Sequence, residues 1–220
     1  MVANVTAAKT AANNTAKTHE QTPTAKKNEI SSSKPARNAR AYGVCNAPSA
    51  LTDTRSVIGS KKADELPNLN STLRPPKPED RVLELDELWS FLHDKRNQCW
   101  IWIALCVVTR QVMAIVAGDR STQTCRALWR EIPWRYRRAK CHSDFWEAYS
   151  SVIPSDQHEA VGKESGLTNH VERWNNTLRQ RFGQFVRETL SFSKCWELHV
   201  ARLMLFVHRY NLEIAQNILN

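Results

Sequence analysis

Three runs of β-forming residues succeed one another between residues 81 and 117, joined by segments too short to cross over a sheet. Residues 81–89 (RVLELDELW) alternate acidic and aliphatic side chains, while 98–108 (QCWIWIALCVV) and 111–117 (QVMAIVA) are rich in β-branched and aromatic residues. The intervening residues 93–97 and 109–110 fit antiparallel turns. A chain built this way starts its core as a three-stranded meander, and the remaining elements must pack against that sheet.

Beyond residue 117 the chain alternates helix and strand. Thr122 or Thr124 is placed to cap a helix carrying Cys125, Leu128 and Trp129, and Pro133 stops it. Residues 140–143 read as a short strand with Asp144 at its end, 146–152 as a helix stopped by Pro154, and 159–162 as a further strand. Two long helices, 169–185 and 193–218, close the chain. The order predicts an α/β fold with a mixed sheet flanked by helices, and it resembles the ribonuclease H fold.

The region before the meander differs in kind. Residues 1–60 have little apolar periodicity and many Lys, Thr, Ser and Asn, so they bury too little surface to offset ordering entropy and are expected to be a disordered tail. Residues 61–79 are expected to form a linker, with a short helix over 61–69 and a stiff stretch at Pro75, Pro76 and Pro78. The folded domain is then residues 80–220. A formal charge of +9 favours a polyanionic partner, nucleic acid first. The start lacks a secretory apolar core and no run approaches a membrane span, which points to a cytoplasmic protein. Six single cysteines without a C-x-x-C pair read as reduced structural residues.

Metal-dependent phosphodiester chemistry needs carboxylates converging from separate elements. Asp86 in the first strand, Asp144 at a strand end and Glu172 near a helix start are candidates, each with an ordinary alternative. Asp86, flanked by Glu84 and Glu87, reads equally as part of a solvated acidic strand face. Asp144 reads as a helix cap, and Glu172, three residues after Asn169, as part of a capping box. Val171, Trp174, Leu178, Phe182 and Phe185 form the apolar stripe of that helix, leaving Glu172, Asn175, Asn176 and Arg179 on a polar face. Arg135, Arg137, Arg138 and Lys140 alternate with Trp134 and Tyr136, offering charge for phosphates and rings for unstacked bases, or simply a solvated run. His142 and His170 read as supporting groups, since hard cations prefer oxygen.

ELDELWSF (84–91), SDFWEAY (143–149), VGKESGLTNHVERWNNTLRQR (161–181) and TLSFSK (189–194), in this order and spacing, resemble the insertion sequence one family of DDE transposases. The resemblance spans about residues 61–220 and implies that Asp86, Asp144 and Glu172 are the catalytic, metal-holding acids, with Mg²⁺ or Mn²⁺, two ions, as cofactor. It implies cleavage at element ends and strand transfer into target DNA by a homo-oligomer. Lys163, Arg173, Asn176 and Arg179 join Arg135, Arg137, Arg138 and Lys140 as expected DNA contacts. A non-catalytic basic DNA-binding protein of the same fold, or a nuclease that cuts without joining, is the alternative. The resemblance departs before residue 61, where the family's zinc module and helix-turn-helix are expected. No Cys pair is present there, and residues 40–44 and 61–67 resemble only the edges of a helix-turn-helix. A reading-frame change or a wrong start in this region is the expectation.

Overall fold

A computed structural model describes residues 65–75, 77–78, 81–185 and 193–219. The expected tail, Cys45 and the first helix-turn-helix edge lie outside the described residues. So does the start of the helix expected over 61–69. Its described part is a turn at Glu65 and Leu66, followed after Pro67 by a 3₁₀ helix at Leu69–Thr72. Pro67 removes a backbone donor, and Asn68 Oδ1 caps the new start by accepting from Asn70 N at 2.9 Å.

The meander forms as the sequence predicts: β1 (Val82–Leu92), β2 (Asp94–Cys106) and β3 (Val112–Gly118). The first turn is tighter than expected. His93 alone, at φ 60°, separates β1 from β2, and residues 94–97 extend the second strand. Arg110 makes the second reversal, also at φ 60°, a backbone region that non-glycine residues occupy at a cost. Helix α1 (Thr122–Glu131) starts one residue earlier than the expected caps, with Ser121 Oγ accepting from Thr124 N. Then come β4 (Lys140–Ser143), α2 (Glu147–Val152) and β5 (His158–Ala160). Helices α3 (Asn169–Arg181) and α4 (Trp196–Leu219) close the chain.

The sheet order is β3-β2-β1-β4-β5, with β1 antiparallel to β2, β2 antiparallel to β3, and β4 parallel to both β1 and β5. Strand alternation sends side chains to two separate cores. On one face Leu83 and Leu85 join Trp102, Ala104 and Cys106 beneath Leu128 of α1 and Tyr149 of α2. On the other, Leu88 and Leu92 join Ile101, Ile103 and Leu105 beneath Val171, Trp174 and Leu178 of α3 and Leu203 and Val207 of α4. Each fully buried side chain of this size contributes about 2 kcal/mol, so both faces are strongly fastened.

The edge of β3 is closed by a side chain. Asn211 of α4, fully buried, accepts from Val112 N at 2.8 Å and donates to Val112 O at 2.9 Å, imitating a neighbouring strand. Helix α3 ends at Arg181, earlier than expected, so Phe182 and Phe185 pack beyond it. Among the described cysteines, Cys99, Cys106, Cys125 and Cys141 are buried and all are free thiols. Burial pushes Cys125 and Cys141 up to about 12, which keeps them protonated and unreactive.

Candidate active site

Consecutive positions on β1 face opposite ways, so Glu84 and Asp86 point toward α3 while Glu87 points toward α1 and α2. The parallel pairing of β1 and β4 sets Glu84 beside His142. Asp86 lies two residues further along β1, and Asp144 directly follows the last residue of β4. Helix α3 lies over this pair in step with β1: His170 and Val171 reach Glu84, and Asn175, one turn later, reaches Asp86. Glu172 lies between these rungs.

Each carboxylate is held. Asp86 is half-buried; its Oδ2 accepts from Asn175 Nδ2 at 2.7 Å and its Oδ1 from Glu87 N at 2.9 Å. Asp144 is exposed and accepts from Trp146 N at 3.0 Å, the turn by which the chain enters α2. Glu172 accepts from Thr168 Oγ1 at 3.2 Å. The expected caps are not formed: Trp146 and Thr168, rather than Asp144 and Asn169, are the N-caps of α2 and α3, and neither makes a side-chain cap hydrogen bond.

The three acids share one electrostatic environment. Burial, aided by the negative charges of Glu87, Asp144 and Glu172, raises Asp86 to about 7. Glu84 is likewise raised to about 7, mainly by burial, with Glu172 adding to it and the Val171 amide opposing.

Several expectations need correction. Glu84 and Glu87 are not on a solvated face: they are 1% and 8% exposed. Asn175 is turned to the sheet and buried, because the helix crosses β1 closely enough for its amide to reach Asp86. Tyr136 is 2% exposed and belongs to the core, so its ring is not available to bases, whereas Trp134 is 76% exposed. Arg137 is exposed but donates to Ile132 O and Arg130 O at the end of α1. Lys140 pairs with Glu159 at 2.7 Å. Arg135, Arg138, Lys163, Arg173 and Asn176 are exposed, and Arg179 is half-buried. The basic loop containing Arg135 to Arg138 enters β4 at the end opposite Asp144, about 13 Å away along a four-residue strand.

Glu84 and Asn175 entered the sequence reading only as neighbours, Glu84 on an acidic strand face and Asn175 on a polar helix face, and not as parts of the site. The signal for Glu84 was its two-residue spacing from Asp86, which puts both on one strand face. His170, read as a supporting group, does support: its Nδ1 lies 2.6 Å from Glu84 Oε1. His142 is buried, and its Nδ1 has no hydrogen-bond partner.

Comparison with known proteins places these residues in a family. The family model for IS1 transposase matches residues 81–212, which include all three acids. The chain is 35% identical over 129 residues to the insertion element iso-IS1n protein InsB of Shigella dysenteriae, covering 59% of this chain and 95% of that protein. It is 33% identical over 116 residues to the IS1 protein InsB of Shigella flexneri, covering 53% and 86%. For an IS1 protein InsB of Escherichia coli K12 the identity is 30% over 132 residues, covering 60% and 77%. Among the described residues no helix is long and apolar enough to cross a membrane. The match covers the meander, the acidic strand and the helix that lies over it, and the chain belongs to the IS1 transposase family.

Proposed function

We propose that this chain is the catalytic part of an insertion-element transposase, cutting DNA at the element's ends and joining the freed 3′ ends to target DNA. Asp86, Asp144 and Glu172 are the catalytic acids and hold Mg²⁺ or Mn²⁺, two ions in the usual arrangement for such chemistry. The observation that carries this reading is the collection of three carboxylates from a strand, a strand end and a helix, with Asp144 and Glu172 adding to the upward shift that burial and Glu87 give Asp86. The strand order and the mixture of parallel and antiparallel pairs support a ribonuclease H-like fold for the domain assigned to residues 80–220.

The donor set fits a hard divalent cation. Three carboxylates and the buried Asn175 Oδ1, which has no hydrogen-bond partner, offer oxygen alone. Among the described residues no three acidic, His or Cys side chains converge on one point, so loading requires the carboxylates to turn within the cluster. A cation bound there supplies an activated water and stabilises charge developing on the phosphate oxygens.

The chain's own groups orient and exclude. Asn175 holds Asp86, Thr168 holds Glu172, and Trp146 N holds Asp144, keeping the three acids in one cluster. Arg173 and Asn176, exposed on the helix that carries Glu172, and Lys163 in the preceding loop receive the DNA backbone near the site. Arg135, Arg138, Arg137 and Lys140 contact DNA further away, at the opposite end of β4, and Arg179, one turn past Asn175 on α3, contacts it on the other side of the site. Joining both ends of an element to one target requires more than one active site, so a homo-oligomer is part of the proposal.

Strand-transfer assays on element-end DNA with Mg²⁺ test it. Asp86→Asn, Asp144→Asn and Glu172→Gln are each expected to lower joining by about 10³-fold or more, as loss of several kcal/mol of transition-state stabilisation requires. Variants that join as well as the parent would refute the assignment. A parent that binds DNA without cutting it would support the non-catalytic alternative.

A further inference from the structure

Both acidic neighbours of Asp86 on β1 lead, through buried contacts, to the other two members of the site. Glu84, on the same face as Asp86, divides its oxygens between adjacent positions of α3: Oε1 meets His170 Nδ1 at 2.6 Å and Oε2 accepts from Val171 N at 2.7 Å. Glu172 is the next residue. One contact is to a side chain and the other to backbone, so together they fix both the height and the rotation of the helix. A slip of α3 by one residue would rotate Glu172 by about 100° and turn it from Asp86.

Glu87 does the corresponding thing through the opposite face. Arg120 Nε donates to its Oε1 at 2.7 Å, with Nη2 converging on the same oxygen, and Tyr149 Oη donates to Oε2 at 2.7 Å. The Arg120 guanidinium is thereby held between two indoles, 4.6 Å from the Trp100 ring and 4.2 Å from the Trp146 ring. Trp146 N is the donor that holds Asp144, and Tyr149 stands in the helix that begins next to it. The path runs from Glu87 through Arg120 and Trp146 to Asp144.

We propose that Glu84 and Glu87 are positioning residues for the metal site, Glu84 setting the helix that carries Glu172 and Glu87, through Arg120, setting the turn that carries Asp144. Carboxylates buried for stability alone are poor choices, since apolar side chains of similar volume serve as well or better. What a carboxylate adds is directional reach to two donors at once. The positioning roles rest on Asp86, Asp144 and Glu172 holding metal.

Two charge-conserving substitutions in the full chain separate positioning from charge balance. Glu84→Asp keeps the charge and shortens the reach by one methylene. Arg120→Lys keeps the charge but cannot span two indoles as a flat plate. Mn²⁺ binding is read from the paramagnetic resonance of the free ion, below each variant's thermal midpoint. Each variant is expected to bind Mn²⁺ about 10- to 100-fold more weakly than the parent, as loss of ligand-orienting contacts does. Because they act on different carboxylates, the double variant is expected to show the product of the two effects. Parent-like Mn²⁺ affinity in either variant, even with a lowered thermal midpoint, overturns that half of the proposal. A parent chain that binds no Mn²⁺ overturns the metal reading itself and the positioning inference with it.

Discussion

The two faces of the sheet treat buried acid in opposite ways. Behind the sheet, Glu87 is met by a guanidinium and a phenol and is fully spoken for. In front, Asp86, two residues from another raised carboxylate, receives one amide and one backbone N–H while Asp144 and Glu172 add negative charge. One strand therefore contributes a fully partnered acid to one side, though its charge still reaches Asp86, and a more sparsely partnered cluster to the other. The difference teaches where stability and function separate: charge answered by the fold serves the fold, and charge left unanswered marks a place for something the fold does not supply.

That contrast can be broken in several places. The largest effect is expected in the rear core. Trp102 is fully buried, stacks edge-on against Tyr149 at 5.4 Å and donates its Nε1 to Asp119 O, so Trp102→Ala is expected to cost about 4 kcal/mol in urea unfolding.

Next comes acid. His199 is buried against Ser193 Oγ at 2.6 Å, and burial, helped by Arg202, lowers it from 6.5 to about 4. Above pH 6.5 it is neutral both folded and unfolded and contributes no pH dependence. As pH falls from 6.5 toward 4 the unfolded chain takes up the proton and the folded chain does not, so stability declines across that window. The full loss corresponds to about 3 kcal/mol. Unfolding curves at stepped pH on the parent and on His199→Gln check this, and an equal acid sensitivity in both would exclude His199 as its source.

Removing the rear acid, Glu87→Ala, leaves Arg120 without its partner and Tyr149 Oη buried without an acceptor. It is expected to cost about 2 kcal/mol by the same measurement, a loss limited by the partial exposure of Arg120. Asp86→Asn should behave in the reverse sense. With divalent ions chelated at pH 8, relief of crowded negative charge is expected to raise stability by about 1 kcal/mol. If Asp86→Asn destabilised the chain as much as Glu87→Ala, the separation of the two faces would not hold.

Much of the fold was legible in the sequence because its signals are local. The β-branched runs, Pro133 and Pro154 place the three meander strands and the stops of α1 and α2, although β1 runs three residues further and β2 starts four residues earlier than expected, and the short strand at Lys140–Ser143 is found as expected. The turn at His93 was not legible, since a single residue at positive φ carries no composition signal of its own. The site was legible in its types and through resemblance, not in its surroundings. Nothing local to Glu84 or Glu87 says that one meets a helix 86 residues later and the other a tyrosine 62 residues later. Tyr136 shows the same limit from the other side, because a ring beside arginines looks the same in sequence whether it faces solvent or core.

The alternation of β1 has one more consequence, for how this strand can change over time. Loss or gain of one residue between Glu84 and Glu87 would exchange the roles of the two faces, sending a partnered acid into the cluster and a cluster acid into the rear core. Substitutions can be sampled there one at a time, but length changes inside the acidic stretch are viable only in pairs. The stretch thus acts as a ruler whose smallest permitted step is two residues.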